Sequence, residues 1–250
     1  MAAGGAAVRW AGFGRRWALG FLLGAAALAA RANTAVEPVP RDAGWMKRHE
    51  SFVQIAQAGQ VDLLFLGDSI TDFWRTRGRA VWDRYYGSRH AANFGINADR
   101  TQHVLWRMDH GELAGLHPRV VVLLIGTNNT GLERNSTRPR NTTAEAIAGV
   151  TAVVRGLREK LPEAKILLLA IFPRGEKADP QTAQIQSVNA ALAKLDDGRS
   201  VHFLDLGPKF LLPDGSLNPA DFMADKLHPS PQGYAVWAEA MQAPLAQLLP

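Results

Sequence analysis

The chain has 250 residues, of which 47% are hydrophobic and 20% charged, a composition that excludes disorder as the main state and suffices for one sizeable domain or two small ones. Its formal charge is +5, yet Arg9, Arg15, Arg16 and Arg31 fall in the first 32 residues, where no acid occurs, and the remainder is close to neutral; charge therefore gives no argument for a nucleic-acid partner. There is no cysteine, which excludes disulfides, thiolate metal sites, iron–sulfur clusters and a thiol nucleophile, so any nucleophile is an oxygen or an amine.

Behind Arg9, Arg15 and Arg16, residues 17–30 (WALGFLLGAAALAA) form an apolar run followed by small residues at Ala30-Arg31-Ala32. This is the layout of a secretory signal peptide over residues 1–32, and it predicts an exported protein, periplasmic or secreted, with no stable membrane span after cleavage. The run falls short of the roughly 20 apolar residues of a comfortable span. An uncleaved anchor is the alternative, and Arg15-Arg16 before Trp17 raises twin-arginine export. A Pro-containing linker (Glu37-Pro38-Val39-Pro40) and a helix over 45–58 ended by Gly59 make up residues 33–60, and a domain over 61–250 follows.

From residue 61 the period changes. Short apolar runs at 61–66 (VDLLFL), 91–94, 120–125 (VVVLLI), 166–171 (ILLLAI) and 201–206 (VHFLDL) read as strands buried on both faces. Amphipathic stretches at 101–108, 143–161, 181–195 and 231–249 read as helices. The alternation predicts an α/β fold with a parallel sheet. Such sheets carry ligands at the carboxyl ends of their strands, which draws attention to Gly67-Asp68-Ser69, Gly95-Ile96-Asn97, Gly126-Thr127-Asn128-Asn129 and Phe172-Pro173-Arg174-Gly175.

A serine hydrolase needs a hydroxyl, an imidazole base, a carboxylate to orient it and donors for the developing oxyanion. Ser69 follows the first strand at what reads as a strand-to-helix turn, where it would equally serve as a helix N-cap. Of seven histidines, only His228 has a carboxylate three residues before it, Asp225, a spacing that lets the two side chains meet in a tight turn. The competing reading is a loop histidine with Asp225 capping the next helix. The oxyanion donors would be the amides of Ser69 and Gly95 and the side-chain amide of Asn128, although a glycine can merely end a strand and an asparagine can serve a turn. All of these bland readings would have to coincide at separate strand and helix ends.

Gly67-Asp68-Ser69, Gly95, Gly126-x-Asn128 and Asp225-x-x-His228, in this order, resemble the SGNH (GDSL) hydrolase superfamily, and most of all its platelet-activating-factor acetylhydrolase branch with its bacterial relatives. The resemblance runs through VDLLFLGDSITDFW, AANFGINADRTQHVLWR, VVVLLIGTNNTG, ILLLAIFPRGEK and LHPSPQGYAVWAEA. It implies a flavodoxin-like three-layer α/β/α sandwich with five parallel strands. It also implies a serine esterase with Ser69 as nucleophile, His228 and Asp225 as its partners, and Ser69, Gly95 and Asn128 as the oxyanion hole. No metal or other cofactor is implied; the partner is a small acyl ester, with acetyl as the expected acyl group, and lysophospholipids or thioesters are the alternative substrates. The resembling subunits form dimers, so a homodimer is the corresponding expectation. In this chain Asn129 stands where many members have Asp, and Asn97-Ala98 stand where many have Gly-Gly.

Competing functions find less support. No dinucleotide or nucleotide glycine fingerprint follows a strand. His49-Glu50 lacks the second histidine of a metalloprotease helix, and His103 and His110 read as lying on a surface helix. A catalytically silent glycan- or lipid-binding module is the non-enzyme alternative, against which intact Ser69, Asp225 and His228 argue. Arg75, Arg77, Arg79, Arg84 and Arg89, interleaved with Trp74, Trp82, Tyr85 and Tyr86, could form an anionic or sugar platform, but a solvated helix face over packed aromatics is the simpler expectation.

Overall fold

The structure is a computed structural model that describes residues 1–4 and 32–249. The predicted signal peptide falls mainly on residues outside this description. The elements below all belong to one compact unit, Asn33–Pro250.

Five parallel strands, β1 (Leu63–Gly67), β2 (Ala91–Gly95), β3 (Val120–Leu124), β4 (Lys165–Leu169) and β5 (Val201–Leu204), form one sheet in the order β2-β1-β3-β4-β5. This is the flavodoxin-like order, and its switch point lies between β1 and β3. Gly67 at the end of β1 registers with Gly95 on one side and Leu124 on the other, so the three loops that leave these positions emerge together.

Helices α1 (Ala43–Ala58), α4 (Thr101–Asp109), α5 (Thr143–Lys160) and α6 (Pro180–Leu192) cover one face. There Phe52, Val104, Val150, Val153 and Val188 bury Leu64, Leu66, Val121, Leu123, Ile166 and Leu168. On the other face, α7 (Pro231–Leu248) packs with the short helices α2 (Ser69–Asp72) and α3 (Arg79–Tyr85). Trp74, Tyr86, Trp237 and Met241 there bury Leu63, Phe65, Val120, Val122 and Leu167. Each buried side chain of this size contributes about 1.5 to 3 kcal/mol.

The central strands β1 and β3 are buried throughout, as the apolar runs predict. The edges are not: β2 alternates in burial, and β5 is half-buried beyond Val201 and ends at Leu204 rather than at residue 206. An edge strand has a neighbour on one side only, so apolar character alone overstates its burial. Helix α1 begins at residue 43, earlier than predicted, because Asp42 caps the amides of Gly44 and Trp45; it stops at Gly59, whose φ of 72° suits glycine. Residues 33–60 are no detached linker. Ala35 is buried, its carbonyl accepts the Thr101 hydroxyl at 2.7 Å, and Phe52 stacks on Phe94. No helix among the described residues is long and apolar enough to cross a membrane.

In the arginine-rich stretch, Arg75 and Arg79 follow the simpler expectation, whereas Arg77 is half-buried with its guanidinium 4.4 Å from the Phe73 ring centroid. Trp74 and Tyr86 are buried against α7, while Arg75 and Arg79 turn outward and pair with Asp72 and Asp83.

Candidate active site

Ser69 is the first residue of α2 and only 3% exposed. The turn that holds it is tight: a Cβ on Gly67 would lie 2.3 Å from the Leu124 carbonyl oxygen and 2.4 Å from Thr71 Oγ1. Asp68 caps the short helix, its Oδ1 accepting the Ile70 amide at 3.0 Å. The carbonyl groups of α2 are then taken by side chains from remote elements. Asn93 of β2 donates to the carbonyls of Thr71 (2.9 Å) and Asp72 (3.3 Å), and Tyr234 of α7 donates to that of Ile70 (2.7 Å).

The loop before α7 delivers the imidazole. Lys226 at φ 52° bends the chain so that Asp225 Oδ1 accepts the amides of both Leu227 and His228, each at 3.0 Å. The His228 carbonyl accepts the Met223 amide at 2.9 Å, and Ser230 caps α7 through the Gly233 amide. His228 Nδ1 lies 2.7 Å from Asp225 Oδ2, and its Nε2 lies 2.9 Å from Ser69 Oγ. Phe73 packs on the ring with centroids 4.9 Å apart. Partial burial opposes ionisation of Asp225, but the hydrogen bonds from the His228 ring and from the amides of His228 and Leu227 outweigh it and hold the carboxyl at about 2. An ionised Asp225 keeps the ring proton on Nδ1 and leaves Nε2 to accept the Ser69 hydroxyl proton. The arrangement can therefore generate a nucleophilic alkoxide.

Asn128 sits in the short turn Thr127–Asn129 that follows Gly126, a residue at φ 120°. Its Nδ2 donates to the Asp99 carbonyl at 2.9 Å, joining this turn to the loop after β2. Asn129, fully buried, fixes the turn from below. Its Oδ1 accepts the Thr101 amide, and its Nδ2 faces Thr101 Oγ1, Gln102 Oε1 and Asn141 Oδ1 at 3.0 to 3.2 Å.

Gly95 departs from its expected part. Its amide is bonded to Asn93 Oδ1 at 2.9 Å and is not free for an oxyanion, and a Cβ there would lie 2.2 Å from the Asp72 amide nitrogen. Glycine is needed here because the backbone of α2 passes against it. The amide of Ala98, three residues on, makes no hydrogen bond among the described residues; Ala98 is exposed and held at φ 63°. The Ser69 amide is likewise unengaged among these residues. Sequence reasoning also passed over Asn93, whose one signal is a polar residue inside an apolar strand.

Beneath the loop after β2, Asp99 is buried and bonded to Trp45 Nε1 (2.7 Å), Arg41 (3.1 Å) and Arg107 (3.0 Å), and Arg107 in turn pairs with buried Glu112. Arg107 also reaches the Gly67 carbonyl at 3.4 Å. His103 is not on the open surface as expected. It is half-buried and accepts the Arg100 amide on Nδ1 at 2.9 Å, and burial together with Arg41, Arg100 and Arg107 lowers it to about 3. Beside the site, the 173–180 loop, α6 and the segment after β5 line a cleft of about 570 Å³ that includes Pro173, Ile185, Pro208 and Leu217.

Comparison with known proteins places the chain in a family. Residues 65–236 match the GDSL-like Lipase/Acylhydrolase family. The chain is 35% identical over 217 residues to the human platelet-activating factor acetylhydrolase IB subunit alpha1, covering 86% of this chain and 89% of the relative. The rat alpha2 subunit is 35% identical over 216 residues, with the same coverages. Among solved structures, a GDSL-like lipase from Bacteroides thetaiotaomicron superposes with a TM-score of 0.65 at 18% identity, over 80% of this chain and 98% of that one. An acetylxylan esterase from Geobacillus stearothermophilus does so with a TM-score of 0.59 at 20% identity, over 75% and 93%. At those identities the structures speak for the fold, while the family match and the curated relatives speak for the chemistry: this chain belongs to the GDSL-like lipase/acylhydrolase family of ester-hydrolysing enzymes.

Proposed function

We propose that the protein is a serine esterase that hydrolyses short-chain O-esters, acetyl esters foremost, through an acyl-enzyme on Ser69. The observation that carries this reading is the unbroken hydrogen-bonded chain from Asp225 through His228 to Ser69 Oγ. His228 takes the Ser69 proton on Nε2 as Oγ attacks the ester carbonyl, and the imidazolium is stabilised by ionised Asp225. His228 then protonates the leaving alcohol, and water activated by the same ring releases the acid.

For the tetrahedral oxyanion, the unengaged amides of Ser69 and Ala98 and the side chain of Asn128 are the donors we assign, with Ala98 in place of Gly95, whose amide is committed to Asn93. Asn128 keeps one of its two N–H groups for this after bonding the Asp99 carbonyl. Acetyl is supported by the acetylhydrolase names of the curated relatives. Residues 1–32 support export to the periplasm or the exterior.

The test is hydrolysis of p-nitrophenyl esters from acetate to palmitate by the full chain and by Ser69→Ala. Wild type is expected to turn over acetate fastest, and Ser69→Ala to lose about 10⁴ to 10⁶ in rate. Asn128→Ala is expected to lose about 10² to 10³. Full activity in Ser69→Ala would end the assignment, and a preference for long chains would move the substrate class to lipids.

A further inference from the structure

Two arginines from separate loops meet on the turn that carries Asn128. Arg174, from the loop after β4, donates through Nη1 to Thr127 Oγ1 at 3.1 Å. Arg140, which precedes α5, reaches the Asn128 carbonyl oxygen through Nη1 at 3.4 Å. Both are half-buried, and among the described residues neither has a carboxylate within ion-pair distance. Nε of Arg140 is buried without a hydrogen-bond partner.

The nearby acids are engaged elsewhere. Glu133 is forked onto Arg100, Asp225 onto His228, and Asp179 caps α6 through the Gln181 amide. Asp68 is buried, with its Oδ1 on the Ile70 amide. Burial and the charge of Arg140 both act to lower Arg174, and burial and Arg100 do the same to Arg140. Desolvating two guanidinium groups close together is costly, and the charges of Asp68, Asp179 and Asp225 on Arg174 and of Glu133 on Arg140 offset it only from beyond ion-pair distance. Their backbones are nonetheless anchored: the Arg140 amide bonds the Gly131 carbonyl, and the Gly175 amide next to Arg174 bonds the Lys226 carbonyl, each within 2.9 Å.

Resting on the esterase reading above, we propose that Arg140 and Arg174 form an anion subsite that selects ester substrates bearing a phosphate or carboxylate group beside the scissile acyl ester. Guanidinium groups present forked donors that match both anions. The subsite lies on the same turn as the Asn128 side chain, so an anion held there positions the ester relative to the oxyanion donors.

The experiment titrates the full chain with inorganic phosphate and, separately, with galacturonate by calorimetry at low ionic strength, and measures each as a competitor of p-nitrophenyl acetate hydrolysis. Wild type is expected to bind one or both competitively, and folded Arg140→Gln/Arg174→Gln to bind at least about tenfold more weakly. Phosphate alone would indicate a phosphorylated alcohol, and galacturonate alone a uronate. If the double variant does not fold, Arg140→Lys and Arg174→Lys are compared, each expected to weaken binding about two- to tenfold because an ammonium lacks the fork. No binding of either anion by wild type, or binding unchanged in the folded variants, overturns the proposal. Hydrolysis that survives Ser69→Ala would sink the esterase reading and leave the subsite standing; Ser69-dependent hydrolysis without anion binding would do the reverse.

Discussion

Asn93 and Thr71 are joined across two elements: the amide of a β2 side chain donates at 2.9 Å to a carbonyl of the helix that begins with Ser69. The same side chain accepts the Gly95 amide and donates to the Asp72 carbonyl. Replacing Asn93 by Ala leaves these groups without their partner, so a loss of about 1 to 3 kcal/mol in unfolding free energy is expected by thermal or denaturant melts. Activity should fall by more than the unfolded fraction explains, because the helix that aims Ser69 is released.

Asp225→Asn should lower kcat about 10⁴-fold with little change in fold, since an amide facing Nδ1 allows the tautomer that carries its proton on Nε2. The acid limb of stability should change too. A carboxyl at about 2 in the folded state, below its ordinary 3.8, contributes stability that is present above about pH 4 and is lost as pH falls through 2. The contribution is modest because the side chain is 46% exposed. Melting temperatures of the variant should therefore fall less steeply than those of wild type between pH 4 and pH 2.

Asp68 has the opposite sign. Burial pushes its carboxyl up to about 7, with Asp99 adding to the rise and the Ile70 amide and Arg174 opposing it, and Oδ2 has no donor. The folded state thus holds a proton that the unfolded chain releases near 3.8, so stability is full below that value and declines as pH rises through 7. In Asp68→Asn this decline, up to about 4 kcal/mol by linkage, should disappear. The readout is the melting-temperature difference between variant and wild type, which should move in the variant's favour from pH 4 to pH 8; a flat difference would contradict it.

Asn129→Asp should destabilise the protein by about 2 to 4 kcal/mol. The change puts a carboxylate against the oxygens of Thr101, Gln102 and Asn141, which the amide now serves as donor. Melting temperature checks the stability, and kcat should fall in parallel as the turn bearing Asn128 shifts. Asn129 ties the turn bearing Asn128 to the start of α4 and to Asn141.

The meeting of Ser69, Asp225 and His228 is legible because each stands at a strand end or in a tight local spacing that its neighbours announce. The central strands were legible because burial on both faces forces an apolar run. What could not be read depends on long-range register. Gly95 is visible as a glycine, but where its amide points is decided by Asn93 and by the passage of α2. Ala98 gives no sign in its residue type that it occupies a left-handed turn with an unengaged amide. Tyr234 and Arg107 act on α2 and β1 from helices distant in sequence, and Arg140 meets Arg174 only because two loops converge on one turn. His103 was misplaced because an amphipathic pattern places a face, whereas Trp45 from α1 closes over that face.

The helix that presents Ser69 spans four residues and keeps its carbonyls bonded through Asn93 near the front of the chain and Tyr234 near its end. A segment this short does not hold its shape by itself. If Ser69 is the nucleophile, its reactive placement should therefore depend on docking of the final helix, whose Tyr234 holds the Ile70 carbonyl and whose preceding loop carries His228. On the esterase reading, a chain clipped before α7 should hydrolyse no ester even though it still contains Ser69, Asp225 and His228.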